Sequence, residues 1–286
     1  MRKPSIKTYR RLCQLFIIIL FIAVPILNKE RYSLLYGNLL AFHFWVIPFA
    51  DPLAVLQLTL KNLHITFENF IGAFLPLLLA FFVGTVFCSW LCPFGFFSEM
   101  ALHLRRKLLP RSTQIKAQGS DGVVTKIIIF TVGIAFFLFF STTPVLNQMS
   151  LPAWYTRFFQ YLFGQGYVSL SIFALLAVLI VEFKADKRIW CRYICPQSVL
   201  IIFAKRLNRK RLMVHFEPKK CICKNGIREH CTSACTLSLH PKTVGRVKEL
   251  ECTNCGDCIM ACQKMGCALQ FSSQRSVTTI NKQDKK

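Results

Sequence analysis

At 286 residues the chain is long enough for a sizeable core, yet 53% of it is hydrophobic, with 27 Phe and a mean hydropathy of +0.43. That is too apolar for an ordinary soluble domain and implies a membrane. The formal charge of +23 does not point to nucleic acid, because the basic residues stand in blocks beside apolar segments, where membrane topology accounts for them. The 14 Cys fall in short-spaced groups, which excludes the disulfide scaffold of a small secreted chain and favours metal ligation by reduced thiolates.

Arg2, Lys3, Lys7, Arg10 and Arg11 precede an apolar run from Leu12 to Leu27, the layout of a signal peptide or a first membrane span. Pro25-Ile26-Leu27-Asn28-Lys29 lacks a small-residue cleavage pattern, so an uncleaved signal-anchor is expected. Apolar runs near the ~20 residues needed to cross a bilayer recur at Phe70 to Leu91, Val123 to Thr143 and Tyr167 to Phe183. Four transmembrane helices follow. Lys and Arg crowd the N-terminal segment, the Gly95 to Lys126 loop and the segment after Phe183, which places both termini in the cytoplasm. The outer segment from Tyr32 to Leu60 is broken by Gly37, Asn38, Pro48 and Pro52 and is expected to lie on the membrane surface. Gln197 to Leu212 reads as an interfacial helix. The polar stretch from Ser272 to Lys286 is expected to be disordered.

Two elements repeat at the cytoplasmic ends of the second and fourth spans: Cys88-Ser89-Trp90-Leu91-Cys92-Pro93 and Cys191-Arg192-Tyr193-Ile194-Cys195-Pro196. The pattern is Cys-x-aromatic-aliphatic-Cys-Pro, and it divides the membrane part into two similar hairpins. On a helix, thiols four residues apart share one face, and the proline ends the turn. Brought together, Cys88, Cys92, Cys191 and Cys195 could ligate a cluster or zinc, cycle between dithiol and disulfide, or simply pack. Cys13 stands alone in the first span and reads as packing. None of the six His falls within the four spans, so paired axial ligands for a haem are missing there. His43 and His64 lie in the outer segment, where a quinone head group is one use and a structural role another.

In Cys252-Thr253-Asn254-Cys255-Gly256-Asp257-Cys258-Ile259-Met260-Ala261-Cys262 the gaps of two, two and three residues are those of the bacterial ferredoxin run that wraps a cubane cluster. A second group, Cys221, Cys223, Cys231 and Cys235, lies just upstream, and its last gap matches the one before Cys262. A zinc ribbon also uses Cys-x-x-Cys pairs but has no need of the further thiols at these gaps.

Together these residues resemble the membrane-bound ferredoxin-type proteins NapH of periplasmic nitrate reductase systems and MauN of methylamine utilisation. The carriers are Arg10-Arg11-Leu12-Cys13-Gln14, Gly37-Asn38, Asp51-Pro52-Leu53 with Leu56-Gln57, the two CxxxCP elements and the C-terminal Cys groups. The resemblance implies a four-span bacterial inner-membrane protein with two [4Fe-4S] clusters that takes electrons from quinol towards a periplasmic redox partner, a ferredoxin or a cytochrome. It also implies a crossed ligand pattern: Cys235 with Cys252, Cys255 and Cys258 for one cluster, and Cys221, Cys223, Cys231 and Cys262 for the other. The sequence departs from the family in the Cys221-x-Cys223 spacing and in lacking Pro after Cys235 and Cys262, so Cys267 is a possible substitute ligand.

The expected architecture is thus mostly α: residues 1–212 form a four-helix membrane domain, 213–271 a small two-cluster ferredoxin-like domain, and 272–286 a tail. The expected activity is that of a quinol dehydrogenase-like electron-transfer subunit. Its rival is a maturation factor that supplies electrons for cofactor insertion into a periplasmic redox enzyme.

Overall fold

The computed structural model describes residues 5–29, 35–38, 41–44, 47–63, 66–109, 122–140, 145–208, 210–223, 230–244, 249–263 and 266–273. The Ser5 hydroxyl accepts the Thr8 N–H at 3.3 Å as an N-cap, and α1 (Ile6–Lys29) carries the first apolar run from there. An antiparallel meander follows, β1 (Leu35–Asn38), β2 (Ala41–Phe44) and β3 (Ile47–Ala50), with Ala41 opposite both Asn38 and Ala50. Asp51 caps α2 (Pro52–Asn62) by accepting the Leu53 N–H at 3.1 Å, and Pro52 takes the first helical position, where no N–H is required. After α3 (Phe67–Val83) come α4 (Pro93–Leu108), α5 (Gly122–Phe140), α6 (Val145–Gln148), α7 (Leu151–Gln165), α8 (Ser171–Ala185) and α9 (Gln197–Leu207). The C-terminal part is β4 (Met213–Phe216), α10 (His230–Ala234), α11 (Pro241–Val244), α12 (Asp257–Gln263) and β5 (Leu269–Ser272), with β4 and β5 paired antiparallel.

The four expected spans fall on α1, α3, α5 and α8, but with different limits. Among the described helices, Gly122–Phe140 alone is long and apolar enough to cross a membrane, with a hydropathy of 2.5, while Phe67–Val83 is apolar but shorter. The second run ends at Gly84, whose φ of 79° is a left-handed conformation that favours glycine, and its remainder becomes a separate turn. Large apolar side chains stay exposed on all four helices, among them Phe16, Phe74, Phe139 and Phe173. Apolar surface of this extent marks contact with a membrane or with another protein.

Two parts of the chain depart from expectation. The loop expected between the third and fourth spans folds as α7, which supplies Leu151 and Tyr155 to the main core beside Ile18, Phe21, Val24 and Phe94. There the Tyr155 hydroxyl donates to the Ile18 carbonyl at 3.1 Å. The outer segment folds as the meander and α2 and packs against α3. Gly37, Asn38 and Pro48 stand within the paired strands of the meander, a Cβ on Gly72 of α3 would lie 3.0 Å from Ala50, and Leu53 and Gln57 are fully buried. Asp51 is likewise buried, accepting from Gln197 Nε2 of α9 at 3.0 Å. The tail expected from Ser272 begins with a residue of β5, and positions 274–286 lie outside the described residues, as does His64.

Burial pushes the Asp51 carboxyl up to about 6 from its ordinary 3.8, against the lowering effect of the Leu53, Ala54 and Gln197 donors. A raised acid binds its proton more tightly in the fold than in the unfolded chain, so this group lowers stability as pH rises from about 4 to about 6. Asp51→Asn keeps an acceptor for Leu53 and removes the charge. The melting temperature of this variant in detergent is expected to gain on wild type progressively between pH 4 and pH 6.5 and to hold that gain above; a pH-independent difference would contradict it.

Candidate metal centre

The C-terminal module is built around thiols. Asn254 (φ 53°) and Gly256 (φ 80°) turn the chain sharply between Cys252 and Cys258, and a Cβ at Gly256 would sit 3.2 Å from Ile6 Cγ2. This turn points Cys252, Cys255 and Cys258 at one small cavity of about 20 Å³, whose other walls include Cys235, Val214 and Leu239. Cys231 and Cys262 are buried in the adjoining core with Cys221 packed against them, and Cys223 lies within electrostatic reach of Cys221 and Cys262. Cys258 is buried in that same core and Cys252 packs against it, so the two groups of thiols adjoin one another. Cys267 is exposed with φ 56°, its Sγ 3.7 Å from the Gln263 carbonyl, and stands apart from both groups.

The donor set fits a multi-iron core better than a single ion. Among the described residues no three His, Cys, Asp or Glu side chains converge closely enough to hold one metal ion, and the Cys235 group is instead spread around a void. Burial pushes the Cys235 thiol up to about 11 and Cys255 and Cys258 well above the usual thiol range. Thiols so placed are poor nucleophiles, and iron held there would take the place of their protons.

Each CxxxCP element forms a π turn, Phe87–Leu91 and Trp190–Ile194, rather than the α-helical turn expected. The two are built alike: the Cys92 N–H donates to the Phe87 carbonyl and the Cys195 N–H to the Trp190 carbonyl, both at 3.0 Å. The wider turn still keeps both thiols on one side, and π turns of this kind recur at functional sites. Cys88, Cys92, Cys191 and Cys195 all line a single cavity of about 30 Å³ with Phe87, Phe94, Trp190 and Ile201. Arg188 Nη2 lies 3.2 Å from Cys191 Sγ.

A polar seam docks the Cys252 loop onto this pair of turns. Thr85 Oγ1 and Lys205 Nζ donate to the Cys252 carbonyl at 2.6 and 2.7 Å, Ser89 Oγ to Thr253 at 2.6 Å, Trp90 Nε1 to Asn254 at 3.5 Å and Arg10 Nη1 to Cys255 at 2.7 Å. Arg10 also binds Glu99 and Asp257, each at 3.0 Å, while Arg192 binds Glu251 at 2.8 Å and the Leu237 carbonyl at 3.0 Å. Ser89 and Arg192 each follow the first Cys of their element, so the repeat grips the cluster loop from two sides. Leu237 and Leu239 fill the space between, packed against Cys191 as well as Cys235 and Cys252. Sequence reasoning assigned Arg10 and Arg192 to topology and missed these ion pairs. The available signal was the rarity of carboxylates, 13 acidic residues against 36 basic, with Glu99 placed between apolar runs.

A helical scaffold carrying a ferredoxin-like thiol module defines a ferredoxin-type iron–sulfur electron-transfer protein. Comparison with known proteins makes this specific: the model of a 4Fe-4S binding domain matches residues 65–112 and 166–213, each segment holding one CxxxCP element. The ferredoxin-type protein NapH of Haemophilus influenzae is 31% identical over 267 residues, covering 89% of this chain and 85% of its own. The methylamine utilization ferredoxin-type protein MauN of Methylobacillus flagellatus is 24% identical, covering 82% and 80%. An uncharacterized protein of Methanocaldococcus jannaschii is 27% identical, covering 70% and 69%. No solved structure matches. The chain belongs to the NapH/MauN family of ferredoxin-type proteins.

Glu251 is buried against Arg192 and the Gly122 N–H. Arg192→Met leaves that carboxylate unpaired and is expected to cost about 3–5 kcal/mol. Adding Glu251→Gln, which keeps an acceptor for Gly122, should recover most of the loss. Thermal unfolding of the two variants checks this, and equal destabilisation of single and double variants would contradict it.

Proposed function

We propose that this chain is a four-span protein of the bacterial inner membrane that oxidises quinol and passes electrons through two [4Fe-4S] clusters to a periplasmic redox partner, a ferredoxin or cytochrome of a nitrate reductase-type or methylamine utilisation-type system. The exposed apolar faces of α1, α3, α5 and α8 support the membrane part of this reading, residues 1–212. The thiol module, 213–271, would hold one cluster on Cys235, Cys252, Cys255 and Cys258 and the other on Cys221, Cys223, Cys231 and Cys262. Clusters bound there supply one-electron transfer at potentials tuned by nearby charge and hydrogen bonds.

The observation that carries the reading is the contact of Leu237 and Leu239 with Cys191 on one side and Cys235 and Cys252 on the other. Quinol gives up two electrons and two protons, and the electrons must leave a lipid-soluble donor for thiol-ligated iron in the cytoplasmic module. Cys88, Cys92, Cys191 and Cys195 lie at that boundary and act together in carrying them. The basic surroundings raise cluster potentials relative to an acidic ferredoxin, which suits quinol as donor.

In this reading the Lys and Arg asymmetry supports cytoplasmic termini. An alkaline phosphatase fused after Lys286 is therefore expected to be inactive and a fluorescent protein there bright, with the opposite pair of results inverting the topology.

Anaerobic reduction of the purified protein by a quinol analogue, followed by cluster absorbance, tests the function. Wild type should bleach, and Cys92→Ser and Cys195→Ser should retain the C-terminal clusters yet lose at least about tenfold in rate, more than a packing defect explains. Unchanged rates in both variants would remove the four thiols from the path. A wild type that no quinol reduces would end the dehydrogenase reading in favour of a maturation factor that receives electrons elsewhere.

A further inference from the structure

Two observations about the CxxxCP cavity are left unexplained by thiols that merely pack or cycle. The first is its likeness to the cavity in the thiol module. Each is small, walled by apolar side chains and lined by four cysteines drawn from two separate parts of the chain. The two segments that match the 4Fe-4S binding model, 65–112 and 166–213, contain these four thiols and none of the eight downstream.

The second is an imbalance of charge. Lys126 and Lys205 are only 5% and 1% exposed, and among the described residues neither forms an ion pair with a carboxylate. The ammonium of Lys205 is held by neutral oxygens, the Cys252 carbonyl at 2.7 Å and the Thr85 hydroxyl at 3.5 Å. Both lysines lie within electrostatic reach of Cys88, and Lys126 also of Cys195. Arg188, 1% exposed, sits over the other pair, 3.2 Å from Cys191 Sγ, although Glu99 neutralises part of its charge at 3.5 Å. Buried cations without counter-charge are strongly unfavourable. Neutral thiols or two disulfides would leave Lys126 without a counter-charge among the described residues, whereas Lys205 lies beside Cys252 of the thiol module as well as Cys88.

We infer that Cys88, Cys92, Cys191 and Cys195 hold a third iron–sulfur centre, two thiolates from each repeat, whose negative charge is balanced by Lys126, Lys205 and Arg188. This rests on the reading that the four thiols act together in electron transfer and specifies how they do so. Four thiolates outweigh the positive charge of an oxidised iron–sulfide core, so the assembly is net anionic and supplies what the lysines lack. The thiolates stay bonded throughout: one electron enters and one leaves, no proton is released from sulfur and no disulfide forms. Cys191 then delivers to Cys235 and Cys252 across the single layer of Leu237 and Leu239.

The test is iron, sulfide and zinc analysis of the full chain purified anaerobically in detergent, with electron paramagnetic resonance of the reduced protein. Wild type should carry more than the roughly eight irons that two cubanes account for, with sulfide in proportion. Cys92→Ser with Cys195→Ser should remove the excess and one spectral component, whereas Cys231→Ala should remove a different component. Lys126→Met should keep the iron but move the midpoint potential of the CxxxCP component alone to a lower value, because a positive charge beside it is gone. Iron at about eight in wild type and unchanged in the double Ser variant would overturn the proposal. Loss of a single zinc without sulfide, or four freely alkylated thiols in a protein of full iron content, would do the same. If the Ser variants fail to assemble, Lys126→Met decides, and a folded protein with every potential unchanged overturns the assignment. A chain without the third centre whose quinol-dependent reduction still needs Cys92 keeps the relay reading and loses this one. A third centre present while reduction runs normally without it keeps the site and removes the relay.

Discussion

Four consecutive carbonyls, from Cys252 to Cys255, accept hydrogen bonds from side chains of the helical part: Thr85 and Lys205, Ser89, Trp90 and Arg10. These bonds tie the position of Cys252 and Cys255 to helices far away in sequence. The Asn254 side chain completes the lock by donating to the Val83 and Leu212 carbonyls at 3.1 and 2.8 Å. Because these carbonyls are paired only across the contact, separating the loop from the helical part would break all of these hydrogen bonds together. The distance between the two thiol systems is set by these contacts.

The same constraint explains the buried ions. Arg10, Arg188, Lys205 and Arg211 are almost completely buried, a costly arrangement unless each charge is met. Glu99 meets Arg10, Arg11 and Arg188, Glu251 meets Arg192, and Glu249 meets Arg211. Glu182 accepts from Ser98 and, at 3.0 Å, from the Trp190 N–H, so it fixes the start of the second π turn to α4 and α8 together. With few acidic residues available, Glu99, Glu251 and Asp257 are spent on the seam, and among the described residues Lys126 and Lys205 pair with no carboxylate.

The repeat is used asymmetrically. Both π turns close with the same Cys-to-aromatic hydrogen bond and both lend the residue after the first Cys to the docked module. One lends a hydroxyl, Ser89, and the other a guanidinium, Arg192. A hydroxyl suffices against a single carbonyl, whereas the second turn must also neutralise Glu251, and a fork of donors can do both.

The cysteine spacings by themselves determined the thiol module and the repeat, because ligand geometry around an iron–sulfur core or within one turn is local and leaves a fixed interval in the chain. Hydrophobic runs likewise located α1, α3, α5 and α8, although Gly84 and the late start at Ser171 moved their ends. What tertiary structure decided is everything that depends on contacts between distant segments. Only the fold brings Cys235 to the Cys252 loop, sets Cys267 outside both groups, draws the Asp51 segment inward to Gln197, and places α7 in the core. The buried ion pairs belong to the same class, since Arg10 and Glu99 are 89 residues apart and Arg192 and Glu251 are 59 apart. A basic residue beside an apolar run reads as a topology signal in the chain; whether it faces lipid headgroups or a buried carboxylate is settled by packing, because the charge is the same and only the neighbours differ.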